Sequence, residues 1–210
     1  MIDNYNDFKR FIESLDYKPK LLLHACCAPC SSHVLLLLLK YFDVTIFYSN
    51  DNITPKEEYL KRLDQVIKFA DIFNVKVLYD EYKKEDYYNA VKGLEHLGER
   101  SKRCYECYKL RMEKSIIKAK ELGFDFYTTT LSISPYKVTK WINEIGYILE
   151  DKYKVKYLYS DFKKDAGYVH SIELSNEYCL YRQNYCGCEF SKKEKEEHDR
   201  IKKENQSKEA

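Results

Sequence analysis

Seven of the eight cysteines in this 210-residue chain fall into three tight groups. Cys26, Cys27 and Cys30 share the segment HACCAPCSS, Cys104 and Cys107 form a CxxC, and Cys186 and Cys188 form a CGC, while Cys179 stands alone. A CxxC near the start of a helix puts two thiolates on one helical face, and a loop at a strand end can bring others against them. Four converging thiolates suit zinc or an iron-sulfur cluster. A structural zinc ion held by two cysteine pairs is the plainer reading, but three features weigh against it. Adjacent cysteines make an awkward knuckle for tetrahedral zinc, seven grouped thiols exceed four ligands, and a chain of this length with a parallel sheet needs no metal staple. Surplus thiols beside a four-thiolate site point to redox chemistry, with the CGC close enough for a strained, labile disulfide. Cys179 reads as a plain buried residue.

Charge and aromatic supply surround these groups. From Arg100 to Lys120 there are eight Lys or Arg against Glu106 and Glu113, a basic stripe around the CxxC that includes Arg103, Lys109 and Arg111. Lys163, Lys164 and Arg182 flank the CGC. Cations beside a reactive centre hold a phosphate backbone in place without reading its sequence. TTTLSISPYK (128–137) offers Ser134, Tyr136 and Lys137 after a strand, a phosphate-binding loop in outline. Tyrosine is abundant, with 21 residues, and a few of Tyr105, Tyr108, Tyr136, Tyr168, Tyr178, Tyr181 and Tyr185 are placed to stack on an extruded base.

The elements that must position these groups follow from the pattern of apolar residues. Length implies one domain, and 44% hydrophobic residues with only six Gly and four Pro exclude fibrous, low-complexity and disordered classes. The formal charge of +2 neither demands nor excludes an anionic partner. The polar start MIDNYNDFKRFIESLDYKPK lacks the features of a signal peptide, so a cytoplasmic, thiol-reducing setting is expected. Leu21 to Leu39 is interrupted by His24, Pro29, Ser31, Ser32 and His33, which favours strand, loop and helix over a membrane span. Strands are expected at 21–23, 44–48, 75–79, 125–130 and 155–159. Helices are expected at 33–41, capped by Ser31 or Ser32, and at 55–73, 102–122 and 136–149, with a polar helical region before Arg100. The alternation predicts an α/β fold with a Rossmann-like, parallel five-stranded sheet and helices on both faces. Its ligands belong at the carboxyl ends of the strands, where HACCAPCSS lies. Residues 1–190 read as a single catalytic domain. Residues 191–210, with seven basic and six acidic residues, read as a charged tail forming a solvated helix or frayed end.

Taken together, HACCAPCS (24–31), RCYECYKLRME (103–113), TTTLSISPYK (128–137), DFKKDAGY (161–168) and YRQNYCGCEFS (181–191) resemble the QueH family of epoxyqueuosine reductases. The resemblance implies a sheet of the HUP or PP-loop type, a 4Fe-4S cluster and an additional iron or other metal ion beside it. It also implies an oxidoreductase that reduces epoxyqueuosine to queuosine at the wobble position of tRNAs with GUN anticodons, the last step of queuosine formation. Carried over, the cluster ligands are Cys26, Cys27, Cys104 and Cys107. Cys30, Cys186 and Cys188 become redox or second-metal thiols, and Asp80, in LYDEY, a carboxylate ligand of the second metal. Asp161, Lys163 or Tyr168 supplies the proton, and Arg103, Lys109, Arg111, Ser134, Tyr136, Lys137 and Arg182 meet the tRNA. YSNDNITP departs from the family form, and no role is assigned to 50–54. No GxGxxG loop is present for a flavin or nicotinamide, so electrons come from an external donor. Two rivals remain: a PP-loop nucleotide hydrolase, which would carry a glycine-rich SGGxDS where HACCAPCS stands, and a zinc-stabilised RNA-binding module.

Overall fold

The computed structural model describes residues 2–208. Leu21, Leu22 and Leu23 are fully buried in succession, as a strand covered on both faces must be. They lie in β1 (Lys20–His24), the centre of a five-stranded, all-parallel sheet completed by β2 (Asp43–Tyr48), β3 (Val77–Tyr79), β4 (Phe126–Thr129) and β5 (Lys156–Tyr157), in the order β3-β2-β1-β4-β5. In register, Leu22 pairs with Thr45 on one side and Tyr127 on the other.

Alternate side chains of β1 feed two cores. Leu21 and Leu23 pack with Phe8 and Ile12 of α1 (Tyr5–Glu13), Val34, Leu35 and Leu38 of α2 (Ala28–Leu38), and Leu63, Val66 and Phe69 of α3 (Lys56–Ile72). Leu22 turns the other way. It meets Met112 and Ile116 of α5 (Lys102–Glu121) and Ile142, Ile145 and Leu149 of α6 (Thr139–Tyr153). A short α4 (Lys84–Ala90) precedes α5, α7 (Gly167–Glu177) packs against α2, and α8 (Glu189–Lys208) closes the described chain. Residues 209 and 210 of the expected tail lie outside the described residues.

The α/β expectation holds, with two corrections that bear on the site. First, α2 begins at Ala28 rather than His33, and neither Ser31 nor Ser32 is its cap. Pro29 fits the first turn, where its missing N–H costs nothing. The two serines bond back into the helix, Ser31 Oγ to the Cys27 carbonyl (2.8 Å) and Ser32 Oγ to that of Pro29 (2.9 Å). Cys27 is therefore the N-cap residue and Cys30 lies in the first turn. Second, α1 and α7 arise in segments given no helix from sequence. α1 buries only Phe8 and Ile12 in a polar stretch and is capped by Asn4, whose side chain accepts from the Asn6 and Asp7 amides.

Candidate metal centre and cavity

The order β3-β2-β1-β4-β5 reverses direction of travel at β1, so the loops after β1 and β4 part and leave a crevice. Cys26, Cys27 and Cys30 sit there. Their three sulfurs lie within 4.8 Å of one another, those of Cys26 and Cys27 being 3.8 Å apart. Thr130, just past β4, binds the Cys26 amide (3.2 Å) and faces its sulfur (3.4 Å), tying the two loops together. Gln183 Nε2 donates to Cys27 Sγ at 3.0 Å.

Three thiols at this spacing share charge unequally. Hydrogen bonds from Cys27 and then Cys30 hold Cys26 well below the ordinary thiol value, against the effect of burial, and the positive charge of Arg111 adds to this. The same bond to Cys26 pushes Cys27 up to about 12, and Cys30 rises well above the usual range because it too donates to Cys26. Cys26 is therefore the thiol of the three that most readily gives up its proton, in a donor set that suits a thiophilic metal once the protons leave.

A second thiol group forms beside it. Cys107 and Cys188 pack together with Tyr87 and Val91, while Cys186 receives a hydrogen bond from Lys137 Nζ at 2.7 Å. Burial pushes Cys107 up to about 12 and raises Cys104, with the charge of nearby Cys186 adding to both. Lys137 is half-buried, and desolvation opposes its charge, yet Cys186 and Tyr108 raise its pKa well above the ordinary lysine value. Arg111 joins the two groups: its guanidinium interacts with Cys107, Cys26 and Cys186, and Asn50 anchors it by accepting from Nη2 while donating to the Ala25 carbonyl at 2.9 Å. Gly187, at φ 129°, lets the chain turn between Cys186 and Cys188, and a Cβ there would lie 3.1 Å from Arg62 Nη1.

A cavity of about 590 Å³ opens onto these thiols, with Cys26, Cys30 and Cys186 in its wall and Lys137, Tyr136, Tyr168 and Arg182 around them. Its volume matches a nucleoside-sized ligand.

A profile of the family described as "Epoxyqueuosine reductase QueH" matches residues 21–194. The chain belongs to the QueH family. It is 41% identical over 187 residues to "Epoxyqueuosine reductase QueH" of Streptococcus pyogenes serotype M1, covering 86% of this chain and 73% of that protein. The protein of the same name from Thermotoga maritima is 41% identical over 179 residues, covering 84% and 92%. Among solved structures, the U34-tRNA thiolase NcsA from Methanococcus maripaludis with its 4Fe-4S cluster superposes with a TM-score of 0.57 at 16% identity, over 89% of this chain and 67% of that one, a likeness of fold.

Within this family member, the residues singled out from sequence separate into those at the cavity and those away from it. Ser134, Tyr136, Lys137, Tyr168, Arg182 and Cys186 line it, as does Arg111. Asp161 and Lys163 pair with each other at 2.6 Å, and the cavity wall does not include them. Asp80 is not brought to the thiols. Its carboxylate faces Lys118 at 3.8 Å. The basic stripe is not one surface: Arg103 is buried and bound to Glu194 (2.8 Å), Arg111 is buried at the thiols, Lys114 pairs with Asp51 (2.5 Å) and Asp86, and Lys109 is exposed. Cys179 is exposed rather than buried, at φ 51° just after α7. The charged tail begins as a wall of the site, since Ser191, Glu194, Lys195 and His198 of α8 line the cavity.

Sequence reasoning missed Asn50, Arg62 and Gln183. A signal existed for Arg62, which shares the buried face of α3 with Tyr59, Leu63 and Val66; a lone cation on an apolar helical stripe marks a buried charge that needs a partner. For Asn50 and Gln183 the sequence carries no such pattern, because both lie in loops. No described helix is long and apolar enough to cross a membrane.

Proposed function

We propose that this protein reduces epoxyqueuosine to queuosine at the wobble position of tRNA. The observation that carries this reading is the convergence of Cys26, Cys27 and Cys30, two of which, Cys26 and Cys30, line a nucleoside-sized cavity, in a chain of this family. The reaction takes the epoxide, two electrons and two protons to the alkene and water, so the site must bind the modified nucleoside, admit electrons and deliver protons.

The donor set fits an iron-sulfur cluster: closely spaced sulfurs, one of them held well below the ordinary thiol value, with a buried arginine to offset negative charge. In this reading Cys26, Cys27, Cys104 and Cys107 hold a 4Fe-4S cluster, supported by Arg111, which interacts with both Cys26 and Cys107. Cys30, Cys186 and Cys188 then serve an additional metal ion or act as a dithiol relay. When bound, the cluster supplies single electrons from an external donor.

The chain's own residues do the rest. Tyr136, 64% exposed at the mouth, offers a ring face to an unstacked base. Arg182 is held by Ser175 Oγ at 3.0 Å, beside the cavity, and is suited to the tRNA backbone. Of the three proton donors expected from sequence, Tyr168 alone lines the cavity, which supports its hydroxyl as the donor to the departing oxygen. Lys137 Nζ, protonated against Cys186, is a second proton source on the same wall.

Anaerobic incubation of epoxyqueuosine-containing tRNA with the iron-loaded protein and dithionite, followed by nucleoside mass analysis, tests the reading. Loss of one oxygen from the modified nucleoside is expected. Unchanged nucleoside with a fully loaded protein would refute it. A colourless zinc protein that binds RNA without turnover would favour the binding module.

A further inference from the structure

Two arginines beside the thiols are buried almost completely, Arg62 at 2% and Arg111 at 3% exposure. Burying a guanidinium is costly unless its charge and its five donors are answered. Arg62 spends Nε on Glu58 (2.7 Å) and Nη1 on the Cys186 carbonyl (3.1 Å), and the Tyr185 ring lies 5.2 Å away. Its Nη2 is buried without a partner. Arg111 gives Nη2 to the neutral Asn50, and its Nε is also buried without a partner. Among the described residues no carboxylate pairs with Arg111, so sulfur is what answers its charge. Both side chains line the same cavity wall as Cys26, Cys30 and Cys186.

We propose that Arg62 and Arg111 are positioning residues for the redox centre, whose uncommitted N–H groups donate to its sulfurs and make it easier to reduce. The inference rests on the reading that an iron-sulfur cluster occupies the thiol site. Adding an electron makes that centre more negative by one charge. Cationic donors fixed in a dry site stabilise the reduced form more than the oxidised one, and hydrogen bonds to sulfur are an established lever on cluster potential. Glu58 works in the opposite sense: its carboxylate, 12% exposed, offsets the charge of Arg62.

The test is a dithionite titration of anaerobically reconstituted protein, followed by visible absorption and electron paramagnetic resonance, with iron and sulfide measured on each sample. Arg62→Gln and Arg111→Gln are expected to lower the reduced-to-oxidised ratio at fixed potential at least tenfold, about 59 mV for one electron. Arg62→Lys and Arg111→Lys, which keep the charge and lose the planar fork, recover part of it. Glu58→Gln keeps the guanidinium and raises the ratio. A merely structural role gives no reason for Arg62→Gln and Glu58→Gln to move in opposite directions. If a Gln variant does not load, the Lys variant of the same residue and Glu58→Gln decide. Loaded variants within twofold of the wild-type ratio, or shifts of one sign at positions 58 and 62, would overturn the proposal. Wild-type protein that takes up neither iron nor sulfide would instead count against the cluster reading itself.

Discussion

His24 ends the central strand two residues before the first cysteine, and its burial makes a quantitative prediction. It is fully buried, with Nδ1 2.8 Å from Thr129 Oγ1 and Nε2 3.2 Å from the Ser49 carbonyl. Burial, reinforced by the charge of Arg111, lowers its pKa from 6.5 to about 3. In the folded protein the ring therefore stays neutral at pH 5, while in the unfolded chain it takes up a proton. The unfolded state then binds more protons across the window from about 6.5 down to about 3, so stability falls as pH falls. Over the whole window the loss is about 5 kcal/mol, and between pH 7 and pH 5 it is about 2 kcal/mol. Urea unfolding of the reduced, iron-free chain at both pH values, for the wild type and His24→Gln, measures this term as a double difference. Every other titrating group, His33 included, is present in both proteins and cancels. The wild type should lose about 2 kcal/mol more than the variant on going from pH 7 to pH 5, whatever the variant's own stability. Equal losses would show that His24 titrates normally in the folded state and that its neutral, doubly hydrogen-bonded placement is wrong.

Other outcomes follow from the thiol geometry. Cys104→Ser or Cys107→Ser should abolish the cluster, read as iron and acid-labile sulfide; full occupancy in either would remove that residue from the ligand set. Cys186→Ser combined with Cys188→Ser should leave the iron-sulfur absorption largely intact while turnover disappears. Loss of one metal equivalent in that variant would indicate ligation, and unchanged metal content a dithiol relay. Affinity for tRNA should fall between about 50 and 200 mM salt, and Lys109→Glu should weaken binding to all substrate tRNAs alike. Salt-independent binding would remove the backbone-contact argument.

How far the sequence was legible depended on whether a residue's role was local. Leu21 to Leu23, Val44 to Tyr48 and Phe126 to Thr129 announce buried parallel strands by composition alone, and the structure has them adjacent. The thiols were legible because their spacings are short. Side chains whose partners lie far along the chain were not. Arg103 and Arg111 read as members of a basic stripe that Glu106 and Glu113 only partly offset, yet Glu194 and the cysteines answer their charges in the fold. α7 was missed for a related reason: it buries only Gly167, Ser171, Leu174 and Ser175, so its inward face shows little apolar periodicity. Gly167 sits where a Cβ would lie 2.0 Å from the Phe162 carbonyl, a close approach that only the tertiary structure reveals.

The bond from Gln183 to Cys27 spans 156 positions of the chain. Its length has a consequence for biosynthesis. A ribosome that has made the first five helices has exposed Cys26, Cys27, Cys30, Cys104 and Cys107, but not the segment carrying Gln183, Cys186 and Cys188 that roofs them. Until that segment emerges, the early thiols stand open to oxidants and stray metals. In the proposed reading the metal centre is completed only once that segment is in place, and its earliest cysteines are expected to need reducing conditions until then.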